Sequence, residues 1–229
     1  MTEERSKNRE VHKKKRKQTR RRFHPVLIVD LILAAAILIT VGIYLVRQYY
    51  DRNRPELSEI VAPDWYTQDF LRRNPYSRPG IKRREINDIV VHYVANPGTS
   101  ARMNRGYFNG LADQKGNNPT SASSHYIIGI DGEIIQCIPL DEVAYANYPR
   151  NDDTVSIECC HPDASGEFTE ATKASLVKLT AWLCGELGLD ERDVIRHYDV
   201  SGKSCPKYYV EHKDAWKALK KDMKSAMKQ

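Results

Sequence analysis

With 229 residues, the chain is long enough for one folded domain and some appended segments. Its formal net charge of +6 is unevenly distributed, because residues 1–25 carry eleven Lys and Arg against three Glu, a charge of +8 that leaves −2 for the remaining residues. A uniformly basic nucleic-acid-binding protein is therefore excluded. We interpret residues 1–25 as a basic tail that is too polar and self-repelling to fold alone.

The segment after the tail is a nearly continuous apolar run, residues 26–46, interrupted only by Asp30 and Thr40. Its length is what a helix needs to cross a bilayer, and it has no polar face. We therefore predict a transmembrane helix over 26–46, with the tail cytoplasmic and the chain after Arg47 outside. A cleaved signal peptide has the same charge order, but its apolar region is shorter and no small-x-small cleavage site follows here. With a membrane span beside it, the tail is not expected to bind nucleic acid.

The remaining chain is predicted to hold a charged spacer, residues 47–60, and a folded domain, residues 61–229. Alternating or β-branched apolar runs predict four strand regions, and the Asp-Gly pair at 131–132 predicts a hairpin between the second and third. The predicted strands are Ile86–Val94, Ser124–Ile130, Glu133–Ile138 and Thr154–Cys160, with a further short strand at Val194-Ile195.

Three helices are predicted by apolar residues at helical spacing. The first covers 100–111 and the third about 210–227. The second begins after the N-cap Thr169 and ends at Gly188. The apolar faces are predicted to be Met103, Tyr107 and Leu111 in the first helix, Leu176, Leu179, Leu183 and Leu187 in the second, and Trp216, Leu219, Met223 and Met227 in the third. Because strands and helices interleave without a strict order, we expect an α/β domain with one mixed sheet flanked by helices.

Three residues form a candidate metal site. His92 lies near the end of a predicted strand, and His197 follows another, with Cys205 shortly after it. Two imidazoles and a thiolate suit Zn²⁺ and leave a fourth position open, as in catalytic zinc sites. The alternatives are structural histidines and, for Cys205, half of a disulfide or a buried thiol.

Glu158 is a candidate general base, because it interrupts an apolar strand where a carboxylate is costly without a partner. Beside a metal-activated water, such a group can hold the proton that the water loses. An ion pair with an arginine such as Arg196 is the alternative.

Four segments together resemble the zinc-dependent N-acetylmuramoyl-L-alanine amidases of type 2, which share a fold with peptidoglycan recognition proteins and phage lysozyme-amidases. The resemblance covers about residues 60–227 in the right order, and its His-x₅-Lys-x-Cys-Pro element is specific. The tail and the predicted span lie outside it. The segments are Ile89-Val90-Val91-His92-Tyr93, Ser123-Ser124-His125-Tyr126-Ile127-Ile128-Gly129, Ser156-Ile157-Glu158-Cys159 and Arg196-His197-Tyr198-Asp199-Val200-Ser201-Gly202-Lys203-Ser204-Cys205-Pro206.

The resemblance implies roles for five residues of this chain. It implies that His92, His197 and Cys205 are zinc ligands, that Lys203 is the cation that stabilises the developing oxyanion, and that Glu158 is the catalytic acid and base.

One position departs from the phage lysozyme branch of the family. That branch has a catalytic tyrosine where this chain has Ser124, which places the chain with the branch that relies on the glutamate. The next residue, His125, is expected to be either a substrate-binding contact or part of the strand packing.

The implied reaction is hydrolysis of the amide between N-acetylmuramic acid and the first L-alanine of the peptidoglycan stem peptide, in a membrane-anchored enzyme on the cell-wall side. A non-hydrolytic peptidoglycan-binding receptor on the same fold is the alternative, although receptors of that kind lack part of the zinc set. A membrane protein whose basic tail binds anionic lipid or nucleic acid is a further alternative.

Overall fold

The structure is a computed structural model that describes residues 25–53, 56–83 and 85–228. Apart from Pro25, the predicted basic tail lies outside the described residues. The chain divides into two units at residue 53, and the first unit contains helix α1, Pro25–Asn53. Within α1, the segment Ile28–Val46 is exposed and is long and apolar enough to cross a membrane, a test of length and composition that a signal sequence also passes.

The second unit is built on one mixed sheet, as predicted, and the sheet has six strands, of which the first was not predicted. Its strands are β1 (Thr67–Gln68), β2 (Asp88–Tyr93), β3 (Tyr126–Ile128), β4 (Ile134–Gln136), β5 (Thr154–Cys159) and β6 (Val194–Arg196). They lie in the order β1-β4-β3-β5-β2-β6. Strands β3, β5, β2 and β6 run parallel, and the β3–β4 pair is antiparallel. The four parallel strands therefore present their carboxyl ends at one edge of the sheet.

Five α-helices accompany the sheet in the described part of this unit. They are α2 (Ala101–Gly110), α3 (Glu170–Leu187), α4 (His197–Ser201), α5 (Lys207–Glu211) and α6 (Lys213–Ala226), and short 3₁₀ turns cover Leu111–Asp113 and Glu191–Asp193. Helix α3 begins and ends as the sequence predicts. The Thr169 side chain accepts a hydrogen bond from the Thr172 N–H, and Gly188 ends the helix in the left-handed conformation at φ +67°.

Two apolar clusters lie on opposite faces of the sheet. The larger one combines the predicted leucine stripe of α3 with Leu219 and Met223 of α6 and with inward residues of β2 and β5 such as Val91 and Ile157. The smaller one contains Phe108 of α2 and Ile127 of β3. Successive side chains of a strand point to opposite faces, so His92 and Glu158 point away from the larger cluster.

The buried face of α2 differs from the prediction. Leu111 is buried as predicted, but Met103 and Tyr107 are exposed, and the helix buries Ala101, Asn104 and Phe108 instead. Both sets have helical spacing, and the sequence alone favoured the more apolar one. The structure buries Asn104 because its amide donates hydrogen bonds to the Thr99 hydroxyl and the Ser100 carbonyl, both at 2.9 Å.

The predicted C-terminal helix is interrupted at His212, which separates α5 from α6 and has non-helical backbone angles. The His212 ring stacks on Tyr208 with centroids 4.2 Å apart, and its Nδ1 lies 3.0 Å from the Tyr208 carbonyl oxygen. Leu219 and Met223 are buried as predicted, while Trp216 and Met227 are only partly buried. His197, expected in a loop after a strand, is the first residue of α4.

Candidate functional site

The site lies where the parallel strands end. His92, the penultimate residue of β2, stands directly beside Glu158 of β5 in the strand register. His197 follows the last residue of β6, and β6 also pairs with β2. The carboxyl edge of parallel strands is the usual place for a site in an open α/β sheet, because the backbone there holds side chains firmly beside open loops.

A tight turn returns the chain from His197 to Cys205. Gly202 ends α4 in the left-handed region, at φ +76°, which favours glycine. The backbone N–H of Tyr198 then donates to the Cys205 carbonyl oxygen at 2.8 Å. This bond holds the two candidate ligands on the same side of the turn.

His92, His197 and Cys205 converge as a group that could hold a metal ion. One potential ligand atom of each lies within 4.8 Å of those of the others. His92 Nδ1 is 3.7 Å from Cys205 Sγ, and the two imidazole rings have centroids 4.5 Å apart. All three side chains are buried. His197 Nδ1 is buried and has no hydrogen-bond partner among the described residues. A metal ion bound between the three side chains would give this nitrogen a partner.

The pKa values of these three groups are compatible with a metal ion whose binding displaces one proton. Burial, with the neighbouring His197, lowers the pKa of His92 to about 3, so its imidazole is neutral and has a free lone pair at neutral pH. Burial and the Lys203 ammonium also lower the pKa of His197. Burial raises the pKa of the Cys205 thiol to about 12. A metal ion would therefore have to displace the Cys205 proton to bind the thiolate.

The Glu158 carboxyl group lies against this cluster, with Oε1 4.0 Å from His92 Nδ1. Its other oxygen is buried and has no partner among the described residues. Burial raises the pKa of Glu158 to about 8, and the Lys203 ammonium opposes this rise. The alternative ion pair with Arg196 does not form, because Arg196 pairs instead with Asp199 at 2.7 Å.

Lys203 is exposed and lies in the turn between His197 and Cys205. Its positive charge lowers the pKa of His92, His197 and Glu158, so it acts electrostatically on the same small volume. The structure gives the Lys203 ammonium no carboxylate ion pair among the described residues. It therefore has hydrogen-bond donors free for a ligand.

Of the two roles left open for His125, the structure favours strand packing. Its side chain is fully buried, Nδ1 lies 3.0 Å from the Ser156 hydroxyl, and Nε2 lies 3.0 Å from the Glu142 carbonyl oxygen. No polar atom of the ring is left for a substrate. Ser124 is also buried, and its hydroxyl hydrogen-bonds the carbonyl oxygens of Tyr126 and Ser156.

The five cysteines are all free and buried: Cys137, Cys159, Cys160, Cys184 and Cys205. The disulfide alternative for Cys205 is therefore not observed. Cys159 belongs to the larger apolar cluster and Cys160 to the smaller one, as their strand alternation predicts.

Two contacts of the site were not predicted from the sequence. The buried amide oxygen of Asn147 lies 2.6 Å from Nε2 of His92. The Tyr93 backbone N–H is a hydrogen-bond partner of the Cys205 sulfur. Asn147 lies in an irregular loop among other polar residues, with no spacing or motif that singles it out.

Comparisons with known proteins agree with this architecture. A family model described as N-acetylmuramoyl-L-alanine amidase matches residues 82–208. A probable N-acetylmuramoyl-L-alanine amidase of Bacillus licheniformis is 34% identical over 173 residues, which covers 69% of this chain and 47% of the relative. The amidase CwlL of the same species is 32% identical over 174 residues, covering 70% and 47%. The chain thus spans about half the length of these curated relatives.

Solved structures extend the similarity to the fold. The catalytic domain of XlyA, an amidase of Bacillus subtilis (strain 168), has 29% identity and a TM-score of 0.57, covering 69% of this chain and 98% of that domain. PlyL is similar in fold, with 22% identity and a TM-score of 0.59. The match covers 70% of this chain and 98% of the PlyL chain.

The pKa values predict how many protons would leave if Zn²⁺ bound to this group at pH 7. The Cys205 thiol must lose one, and Glu158, mostly protonated with a pKa near 8, must lose up to one more beside a divalent cation. We expect His92 to contribute none, because its pKa is about 3. Calorimetry in buffers of different ionisation enthalpy should therefore give between one and two protons, and about one in Glu158→Gln. Release of no proton would contradict a thiolate ligand.

Proposed function

Because the chain belongs to the N-acetylmuramoyl-L-alanine amidase family, we propose that it hydrolyses the amide bond between N-acetylmuramic acid and the first L-alanine of the peptidoglycan stem peptide. The observation that carries this proposal is the convergence of His92, His197 and Cys205 beside the buried carboxyl group of Glu158. The relatives' names support the reaction, and the open carboxyl edge of the sheet supports the placement of the site.

We assign His92, His197 and Cys205 as the residues that hold Zn²⁺. Two nitrogen donors and one sulfur donor suit this ion better than Ca²⁺ or Mg²⁺, which prefer oxygen. When bound, Zn²⁺ supplies a Lewis acid that polarises the scissile carbonyl group and makes a water molecule more acidic. The lowered pKa values of both histidines keep their lone pairs available across the neutral range.

Glu158 moves the proton in this mechanism. Its ionised carboxylate takes a proton from the attacking water while the water oxygen forms a bond to the carbonyl carbon. The protonated carboxyl group then gives that proton to the alanine nitrogen as the C–N bond breaks. The products are the lactyl carboxylic acid and a stem peptide with a free amino group, and at neutral pH the proton of the acid passes to the amine. Burial raises the pKa of Glu158 towards the working pH, which suits a group that must both accept and return a proton.

Lys203 stabilises the negative charge that develops on the carbonyl oxygen. Its exposed ammonium lies in the turn between two of the assigned ligands. A preorganised donor aimed at such an oxygen typically lowers the barrier by about 3 kcal/mol.

The proposed cellular placement rests on helix α1. We propose that Ile28–Val46 anchors the chain in the cell membrane, with the basic tail in the cytoplasm and residues 61–229 on the cell-wall side. The Lys and Arg excess before the helix supports this orientation. A catalytic domain outside the membrane would face its polymeric substrate.

Replacing the proposed sulfur ligand tests the enzyme against the receptor alternative. In Cys205→Ser, a neutral hydroxyl replaces the thiolate with little change in volume, and we expect hydrolysis of muropeptide to fall at least about 100-fold. Muropeptide binding should largely persist. Glu158→Gln should retain zinc and lose turnover by about 10²- to 10⁴-fold. Zinc content, binding and release of free stem peptide are measured together.

Cys184→Ser is the matched control for this pair. Its sulfur is also buried and donates to the Asp190 carbonyl oxygen at 3.6 Å, so the variant makes the same change of sulfur to oxygen away from the candidate ligands. This variant should keep parental turnover and zinc. Parental hydrolysis by Cys205→Ser would make Cys205 a structural thiol, and a parent that binds muropeptide without releasing stem peptide would be a receptor.

The proposed orientation is tested by adding a protease to intact protoplasts. We expect loss of the domain after Arg47 and protection of an epitope placed in residues 1–25. A cytoplasmic protein serves as the control for protoplast integrity. Protection of the domain would reverse the orientation, and a chain already lacking its first 46 residues before proteolysis would identify a cleaved signal sequence.

A further inference from the structure

One buried contact of the site has no role in the mechanism above. The amide oxygen of Asn147 lies 2.6 Å from Nε2 of His92, and the two residues are 1% and 3% exposed. Asn147 lies in the loop before β5, 55 residues along the chain from His92. Its side chain touches the ring of one candidate ligand on the side opposite Cys205.

The hydrogen bonds around Asn147 determine which way its amide points. Its nitrogen donates to the Thr154 hydroxyl oxygen at 2.7 Å. That hydroxyl gives its own single hydrogen to the Arg150 carbonyl oxygen, so it can only accept from Asn147. The amide oxygen must therefore face His92.

An amide oxygen is only an acceptor, so Nε2 of His92 must carry the hydrogen of this contact. A neutral imidazole with hydrogen on Nε2 has its free lone pair on Nδ1. That atom faces the site, 3.7 Å from Cys205 Sγ and 4.0 Å from Glu158 Oε1. The tautomer that Asn147 selects is thus the one that can bind a metal from Nδ1.

The loop holds Asn147 in place independently of His92. The side-chain oxygen of Asn151 accepts hydrogen bonds from the backbone N–H of Asn147 at 2.6 Å and of Ala146 at 3.1 Å. The Asn147 carbonyl oxygen accepts one from the Arg150 N–H at 2.7 Å. The amide is therefore oriented before any ligand arrives.

We propose that Asn147 is a positioning residue that fixes the tautomer and ring orientation of His92 and thereby sets the zinc affinity of the site. The inference rests on the proposed function, because it takes His92 as a zinc ligand. Partners of this kind commonly contribute 10- to 100-fold to metal affinity. Asn147 itself would touch neither zinc nor substrate.

The test measures zinc dissociation constants by chelator competition on the full chain in detergent. In Asn147→Leu, a side chain of similar size has no acceptor, and we expect zinc binding to weaken about 10- to 100-fold. In Asn147→Asp, a carboxylate oxygen still accepts from Nε2, and the variant gives up only the bond to the Thr154 hydroxyl. We expect Asn147→Asp to bind zinc at least as tightly as the parent.

Asn104→Leu is the matched control, because Asn104 is also buried but hydrogen-bonds the Thr99 hydroxyl and not a candidate ligand. It should bind zinc as the parent does. Parental affinity in Asn147→Leu would overturn the proposal, and so would an Asn147→Asp variant as weak as Asn147→Leu. The unfolding temperature of each metal-free variant distinguishes a lost contact from a lost fold.

A second readout does not depend on any variant of Asn147. In the metal-free parent chain, ¹⁵N spectra of the histidine side chains should show hydrogen on Nε2 of His92, assigned through a His92→Gln variant. Hydrogen on Nδ1 would overturn the proposal even if Asn147→Leu failed to fold. A parent chain that binds no zinc would instead contradict the proposed function, while this spectrum would still report on the tautomer.

Discussion

Parallel pairing of β2 with β5 and β6 is the constraint on which the site depends. The register places His92 directly beside Glu158, and β6 delivers His197 to the same edge of the sheet. A one-residue slip in either pairing would turn one of these side chains to the opposite face, which the leucines of α3 cover. The apolar core that fixes the register therefore also fixes the geometry of the site.

The site combines groups that burial holds in their uncharged forms. Burial lowers the pKa of His92 to about 3 and raises the pKa of Glu158 to about 8 and of Cys205 to about 12. Without a cation, the folded chain thus keeps these three groups neutral at neutral pH, which avoids burying isolated charges. A divalent cation would reverse this preference for the thiol and the carboxyl group, so metal binding and protonation are coupled.

Local patterns predicted much of the fold. The hairpin around Asp131-Gly132 and the caps of α3 at Thr169 and Gly188 depend on neighbouring residues, and the structure contains both. The predicted buried face of α2 was wrong at Met103 and Tyr107. Apolar spacing does not reveal that hydrogen bonds compensate the burial of Asn104. The break at His212, whose ring stacks on Tyr208, has no counterpart in the apolar spacing of the predicted helix.

The sequence indicated which residues could form the candidate site, but it did not indicate how they would be brought together. A specific motif and two strand ends identified His92, His197 and Cys205, whose convergence in the structure depends on pairing between distant segments. His125 could not be resolved from sequence, because a histidine at the start of a buried strand fits packing and ligand contact equally well. Nothing in the sequence indicated that Asn147 contacts the site, because His92 lies 55 residues away and the loop around Asn147 has no regular pattern.

We propose that two imidazole nitrogens and one thiolate of this chain bind zinc. X-ray absorption at the zinc edge, on the full chain loaded with one equivalent of the metal, measures this ligand set. We expect one sulfur at about 2.3 Å and two imidazole nitrogens at about 2.0 Å, with the sulfur lost in Cys205→Ser. A zinc environment made of nitrogen and oxygen alone in the parent chain would contradict it.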